Sequence, residues 1–290
     1  MMTDLWEQRT AGVLQAWGDA FSARPEGLLY HYTDFDGFQG IVKEHTLRAT
    51  YSKVLNDGSE RIYGEKVMSD TLKREVASER QTSSSIDSNV KELSRPTFVT
   101  SFCDCGKLLS MWRAYAGHGG GYCLGFTYTG LANLRLKDAL RSEVVLGPMQ
   151  LSYGEQLSDP IKCLLRDLAS LLKTHFDNAS PLLEFVPMLG PMVKDEAFAE
   201  EREWRLIVID PRIRRMHFRA GHANIRPYVE LSLREKDGAT EKLLPLPLEK
   251  VICGPTLRQE DRPDEVVRWM LEKSGYKDVG VEVCSIPYRL

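Results

Sequence analysis

Two glutamates one residue apart, Glu201 and Glu203, stand where a polar stretch runs into an apolar one, Lys194-Asp-Glu-Ala-Phe-Ala-Glu-Glu-Arg-Glu-Trp-Arg-Leu-Ile-Val208. Residues 204–209 (WRLIVI) are rich in β-branched and aromatic types and read as a buried strand. If the chain is already extended at 201–203, both carboxylates point to the same side. A carboxylate pair at a strand mouth suits proton transfer or stabilisation of developing positive charge. The competing reading is a pair of solvated glutamates at the end of a helix.

A second group is His31-Tyr32-Thr33, at the end of a short strand. A histidine there can act as a base or bind a ribose hydroxyl, or it can simply cap the edge of the core. The third is the run FVTSFCDCGKLLSMWRAYAGHGGGYCLGF over residues 98–126. Ser101 lies in its strand; Trp112 and Tyr115, three apart on a short helix, share a face. Two rings near a hydroxyl suit the stacking of a flat ligand, and equally a small aromatic core, which is the better reading of Trp112.

Several chemistries lack their signatures. G-x-x-x-x-G-K-[ST], G-x-S-x-G and H-E-x-x-H are absent, and no G-x-G-x-x-G follows a strand. Of six cysteines, only Cys103 and Cys105 are close, and C-x-C is not a zinc spacing. A metal site from Cys103, Cys105, His118 and Cys123 is weaker than packing as an explanation. Nothing in the spacing supports Cys103 with His31 or His118 as a thiol nucleophile, and no resident metal is expected.

These residues need a scaffold. The sequence predicts strands over 28–32, 47–50, 98–102, 122–126, 143–152, 204–209, 215–219, 228–232, 250–253 and 279–286. It predicts helices over 3–22, 35–44, 59–79, 108–115, 157–176 and 260–274, with a broken helical stretch to about 200. The Ser-rich residues 80–94 read as a mobile loop. Short strands interleaved irregularly with helices imply one α+β domain over 1–290, with mixed or antiparallel sheets, an N-terminal helix within 1–22 and a helical insertion over 155–200.

A chain of 290 residues with a net charge of −3 has no general attraction for nucleic acid, though a local basic groove remains compatible with it. No basic start precedes an apolar core, and no run reaches membrane-span length. A cytoplasmic protein with reduced thiols and no membrane partner is the expectation.

The motifs together resemble a bacterial family known as a domain of unknown function, number twenty-nine seventy-one. They are Leu29-Tyr-His-Tyr-Thr33, the Asn56-Asp57 turn with Glu60, Ser101-Phe102, Met111-Trp-Arg-Ala-Tyr115, Phe198 to Arg205 with its Glu-x-Glu-Trp-Arg core, and a Ser285 to Arg289 tail. The usual turn is Asn-Asp-Pro-Phe-Glu, and Gly58-Ser59 replaces Pro-Phe here.

The order His31, then Ser101 or Tyr115, then Glu201-x-Glu203 is also similar to ADP-ribosyltransferases. That similarity implies NAD as substrate, with Glu203 stabilising the ribose cation and Glu201 orienting or deprotonating the acceptor. It implies a nucleotide site of His31, Tyr32, Thr33, Ser101, Trp112 and Tyr115, and an acceptor that is a protein or a nucleic acid. Three readings stay open: an NAD-using transferase or NAD glycohydrolase, of the kind found in toxins and phage defence; a nucleic-acid hydrolase using His31, Glu201 and Glu203 beside Arg202, Arg205, Arg212, Arg214 and Arg215; and a non-enzymatic binding or regulatory protein. Whether His31, Tyr115 and Glu203 line one pocket discriminates among them.

Overall fold

The computed structural model describes residues 23–55, 60–76, 80–136, 144–220, 225–237, 240–256, 261 and 263–288. The helix expected over 3–22, the Asn56-Asp57 turn and Arg289 lie outside the described residues.

Among the described residues a two-stranded sheet pairs β7 (Ser152–Tyr153) in parallel with β8 (Val193–Lys194), and a twelve-stranded sheet organises the chain. Its main path runs β10 (His217–Ala220), β11 (Ile225–Asp237), β2 (Leu47–Tyr51), β3 (Thr97–Cys103), β1 (Leu29–Thr33), β4 (Tyr122–Phe126), β13 (Leu248–Cys253) and β14 (Gly280–Val283). Off this path, β5 (Arg135–Leu136) and β12 (Thr240–Leu244) pair with β11. Strand β9 (Glu203–Ile209) pairs with both β3 and β6 (Val144–Gln150). Among the described strands of this sheet only β13 and β14 run parallel. The four strands expected at 28–32, 98–102, 122–126 and 204–209 thus share one sheet, and the chain is a mixed α+β domain.

The sheet forks at β3. One edge pairs with β9 along its whole length, from Thr97↔Ile209 to Cys103↔Glu203. The other edge pairs first with β2, at Tyr51↔Phe98 and Thr50↔Val99, and then with β1, at Tyr30↔Cys103. Between those partners, around Ser101, β2 leaves and β1 joins.

Alternation along β9 sorts its residues between two cores. Trp204, Leu206 and Val208 pack with Phe98, Phe102 and Leu47. Helices α1 (Phe35–Glu44) and, near the C-terminus, Pro263–Lys273 cover that face through Phe38, Ile41, Val42, Val267 and Leu271. Asp34 caps α1 by accepting from Gly37 N–H at 2.8 Å.

Ile207, on the opposite face, packs with α2 (Glu60–Glu75) and α3 (Arg80–Glu92), which precede β3, and with the helical insertion. The longest helix of the insertion, Asp159–Thr174, has Pro160 in its first turn and buries Ile161, Leu164, Leu165, Leu168, Leu171 and Leu172. Arg205 and Glu203 share the parity of Ile207, so they face the insertion.

Two expectations require correction. Residues 80–94 are not a loop: most of them form α3, with Ile86 fully buried and Val90 5% exposed. Ile86 and Val90 are four apart, so one apolar stripe anchors an otherwise polar helix. The chain is also not extended at Glu201. A 3-10 helix ends there, and Arg202 adopts a left-handed conformation with φ 47° before β9 begins.

Candidate active site

The fork in the sheet is where functional side chains gather. A cavity of about 450 Å³ is lined there by Tyr30, His31 and Tyr32 of β1, Thr50 of β2, and Ser101 and Phe102 of β3. Met111 and Tyr115 of α4 (Leu109–Tyr115) close one side. Lys194, Phe198, Glu201, Glu203 and Arg205 form another wall, and Arg219 and Arg226 a third.

His31 is held by the fork itself. Its Nδ1 lies 2.9 Å from the Ser101 carbonyl oxygen. A carbonyl only accepts, so Nδ1 carries the proton and the neutral ring keeps its lone pair on Nε2. Burial lowers the imidazole pKa below its ordinary value; the Ser101 contact opposes this and the Arg219 charge adds to it. His31 is therefore a neutral acceptor near pH 7.

The carboxylate pair is organised by Lys194. Its Nζ lies 2.5 Å from Glu201 Oε2 and 3.0 Å from Glu203 Oε2. Arg205 donates from Nε to Glu203 Oε1 at 2.6 Å and from its terminal nitrogen to Oε2 at 2.9 Å. Arg205 also donates to the Pro191 carbonyl at 2.6 Å, which ties the pair to the insertion. Tyr153 accepts from the Glu203 backbone N–H at 2.7 Å.

Burial alone would raise the Glu203 carboxyl. The charges of Arg205 and Lys194 and hydrogen bonds from Arg205 and Ser101 outweigh it and bring the pKa to about 2. Glu203 is 3% exposed and engaged through both oxygens. Glu201 has more access, at 15% of its side chain, and accepts from the Tyr115 hydroxyl at 2.9 Å. Tyr115 itself is 36% exposed, so its ring can receive a flat ligand.

The other sequence-derived candidates divide. Ser101 lines the cavity. Tyr32 lines it too, but its hydroxyl donates to the Cys105 carbonyl at 2.7 Å and accepts from Leu108 N–H at 3.1 Å. Its ring meets Trp112 edge-on at 5.0 Å. It ties β1 to the 105–108 turn. Trp112 is fully buried and does not line the cavity; its ring is core, with no surface for stacking. Thr33 is 9% exposed and lies outside the lining as well.

The Gly-rich turn 117–121 has a packing reason: a Cβ on Gly121 would stand 2.3 Å from the Thr33 carbonyl oxygen. Burial pushes the Cys103 thiol up to about 12, unsuited to a nucleophile. Among the described residues no group of His, Cys, Asp and Glu could hold a metal ion.

Lys194, Arg219 and Arg226 were not expected in the site. A lysine beside apolar Val193 was the available signal for the first, since a buried lysine needs a carboxylate. The two arginines gave no such signal. Of the basic residues that favoured a nucleic-acid hydrolase, Arg202 pairs with Asp104 at 2.6 Å, Arg205 is bound to Glu203, and Arg215 is buried. Arg212 and Arg214 do not line the cavity.

The model of a family described as a protein of unknown function (DUF2971) matches residues 111–206. That span contains Met111–Tyr115 and the Phe198–Arg205 element, but neither His31 nor Ser101. No curated protein and no solved structure matches the chain. No helix among the described residues is long and apolar enough to cross a membrane.

Proposed function

We propose that the protein cleaves the nicotinamide–ribose bond of NAD and passes ADP-ribose to water or to a protein or nucleic-acid acceptor. One observation carries the reading. A neutral histidine acceptor, an accessible tyrosine ring and a carboxylate in contact with that tyrosine face one cavity.

In this reading the Nε2 of His31 accepts a hydrogen bond from a ribose hydroxyl. The Tyr115 ring stacks on the nicotinamide. As the C–N bond breaks, its electron pair leaves with nicotinamide and positive charge develops on the ribose. A fixed carboxylate nearby stabilises that charge without reorganisation. The sequence reading gives this part to Glu203. Because Glu203 is engaged by Arg205 and Lys194, we assign the ligand-facing part to Glu201 and make Glu203 the residue that positions Lys194. The incoming water or acceptor hydroxyl adds to the ribose carbon and gives its proton to Glu201.

The test is nicotinamide release from NAD by purified wild type and Glu201→Gln, each checked by thermal melting. Release that falls on the order of 10²–10³ in the variant, with melting retained, supports the reading. Equal release in both proteins, or none with protein or nucleic-acid acceptors present, rejects it.

A further inference from the structure

We propose that Tyr288 is a positioning residue for Tyr115, because the segment Cys284–Tyr288 is a strap that holds α4 against the cavity. The strap stands on packing alone; its bearing on turnover rests on the NAD reading.

The first observation is that α4 cannot hold itself in place. It has seven residues, and Leu108 at its N-terminus makes no side-chain cap. Helices this short are marginal in water, so contacts from elsewhere must fix them. The turn that follows is Gly117-His-Gly-Gly-Gly121, with φ 53° at Gly117 and 88° at Gly119. Glycine-rich backbone has wide freedom of its own and gives the helix no rigid end.

The second is where the contacts come from. Cys284 N–H donates to the Cys253 carbonyl at 2.8 Å, which pins the start of the segment to β13. Cys284 is buried in the cluster that contains Met111 and Trp112, and Ile286 packs against it, while Ser285 and Pro287 are exposed. This is the period-two pattern of an extended chain. Tyr288 comes next in that alternation and lays its ring on the glycine turn. A Cβ on Gly119 would stand 3.0 and 3.1 Å from two of its ring carbons, so the close approach requires glycine. The Arg113 guanidinium lies over the same ring, 5.0 Å from its centroid.

The third is direction. The strap grips α4 at Trp112 from the core side and at Arg113 from the outside. Met111 and Tyr115, four apart, share another face and line the cavity. The Tyr115 hydroxyl meets Glu201 across 2.9 Å, so a small shift of α4 breaks that bond. The motif Met111–Tyr115 and the tail that starts at Ser285, far apart in sequence, thus meet at the contact of Arg113 with Tyr288.

The experiment measures hydrogen exchange and nicotinamide release in wild type, Tyr288→Ala, Tyr288→Phe, Arg113→Gln, Tyr115→Ala and the double variant Tyr288→Ala/Tyr115→Ala, with melting curves to confirm folding. In Tyr288→Ala the amides of 112–121 should exchange on the order of tenfold faster, and those of Asp159–Thr174 should not change. Tyr288→Phe keeps the ring and should match wild type. Arg113→Gln, at an exposed residue, loosens the same contact with less risk to folding and should give a smaller change in the same direction. Tyr288→Ala should raise the KM for NAD roughly two- to tenfold, as loss of one ring contact does, and Tyr288→Phe should restore it. In the Tyr115→Ala background Tyr288→Ala should add nothing to KM, because it acts through that ring.

Unchanged exchange at 112–121 in both Tyr288→Ala and Arg113→Gln overturns the strap, whatever the activity. Faster exchange in the variants, with no nicotinamide released by wild type, keeps the strap and sinks the NAD reading. Faster exchange with KM unchanged, or a KM effect that persists in full in the Tyr115→Ala background, keeps the NAD reading and overturns Tyr288 as a positioning residue.

Discussion

His31 gives its Nδ1 proton to the carbonyl of Ser101 across 2.9 Å, at the point where β1 and β2 part along one edge of β3. A side chain here takes the place of a strand partner. The bond fixes the tautomer and turns the fork into a site with a defined acceptor.

Stability should therefore depend on pH through His31. Its folded pKa lies below the ordinary 6.5, chiefly because it is buried. Between the folded value and 6.5 the unfolded chain binds more protons, so stability rises with pH through that window, falls as pH is lowered through it, and does not change further on this account below the folded value. Urea midpoints at pH 7.5 and 5 should diverge more in wild type than in His31→Gln. Glu203, with its pKa near 2, contributes above about 4.5, the ordinary carboxyl value, and loses that contribution only as pH falls towards 2, so it does not distort the comparison. Equal pH dependence in the two proteins would remove His31 as a half-buried neutral base.

Glu203→Gln should cost stability before it costs anything else. It leaves Arg205 and Lys194, 2% and 5% exposed in their side chains, with a neutral partner. Removing one member of a buried ion pair typically costs about 3–5 kcal/mol. Chemical denaturation should give a loss of that order. The double variant Glu203→Gln/Arg205→Met should recover part of it, since the stranded guanidinium is gone. A loss below about 1 kcal/mol in the single variant would mean that the network does not hold this wall.

Tyr115 allows two functions to be separated. Tyr115→Phe keeps the ring and removes the 2.9 Å bond to Glu201. Tyr115→Ala removes both. Under the NAD reading, Phe should lower kcat with little change in KM, whereas Ala should also raise KM roughly two- to tenfold, the worth of one ring contact. The ring is partly exposed, so melting temperatures should move little. Steady-state nicotinamide release provides the measurement; a KM that Ala leaves unchanged removes the stacking role.

Helix α3 should behave as core, not as loop. Ile86→Ala should cost about 2–5 kcal/mol, the usual range for a buried isoleucine. Amides over 86–92 should exchange slowly in native-state hydrogen exchange, because the helix docks through Ile86 and Val90. Exchange at the rate of an unstructured peptide would contradict the packing.

What was legible in the sequence was local. Apolar spacing placed the insertion helix within two residues of Asp159–Thr174, and short runs of apolar and aromatic residues placed β1, β3, β4 and β9 closely. His31, Ser101, Tyr115, Glu201 and Glu203 stood out by residue type, and all five line one cavity. Longer-range facts were hidden. β11 runs from Ile225 to Asp237, much further than the expected 228–232, because its polar end is held by hairpin pairing with β12 rather than by burial. Trp112 and Tyr115 share a helix, yet one is core and the other faces the cavity, which depends on what lies opposite.

Only the tertiary structure decided the electrostatics. Lys194 is nine residues from Glu203 and Arg205 two, and their meeting depends on a left-handed Arg202 and on the insertion folding back onto β9. Arg219 and Arg226 face each other only because two strands pair in that register. Periodicity reports which face of an element is apolar; which charges face each other across a cavity is set by sheet register and chain reversal, and neither is written in any single segment.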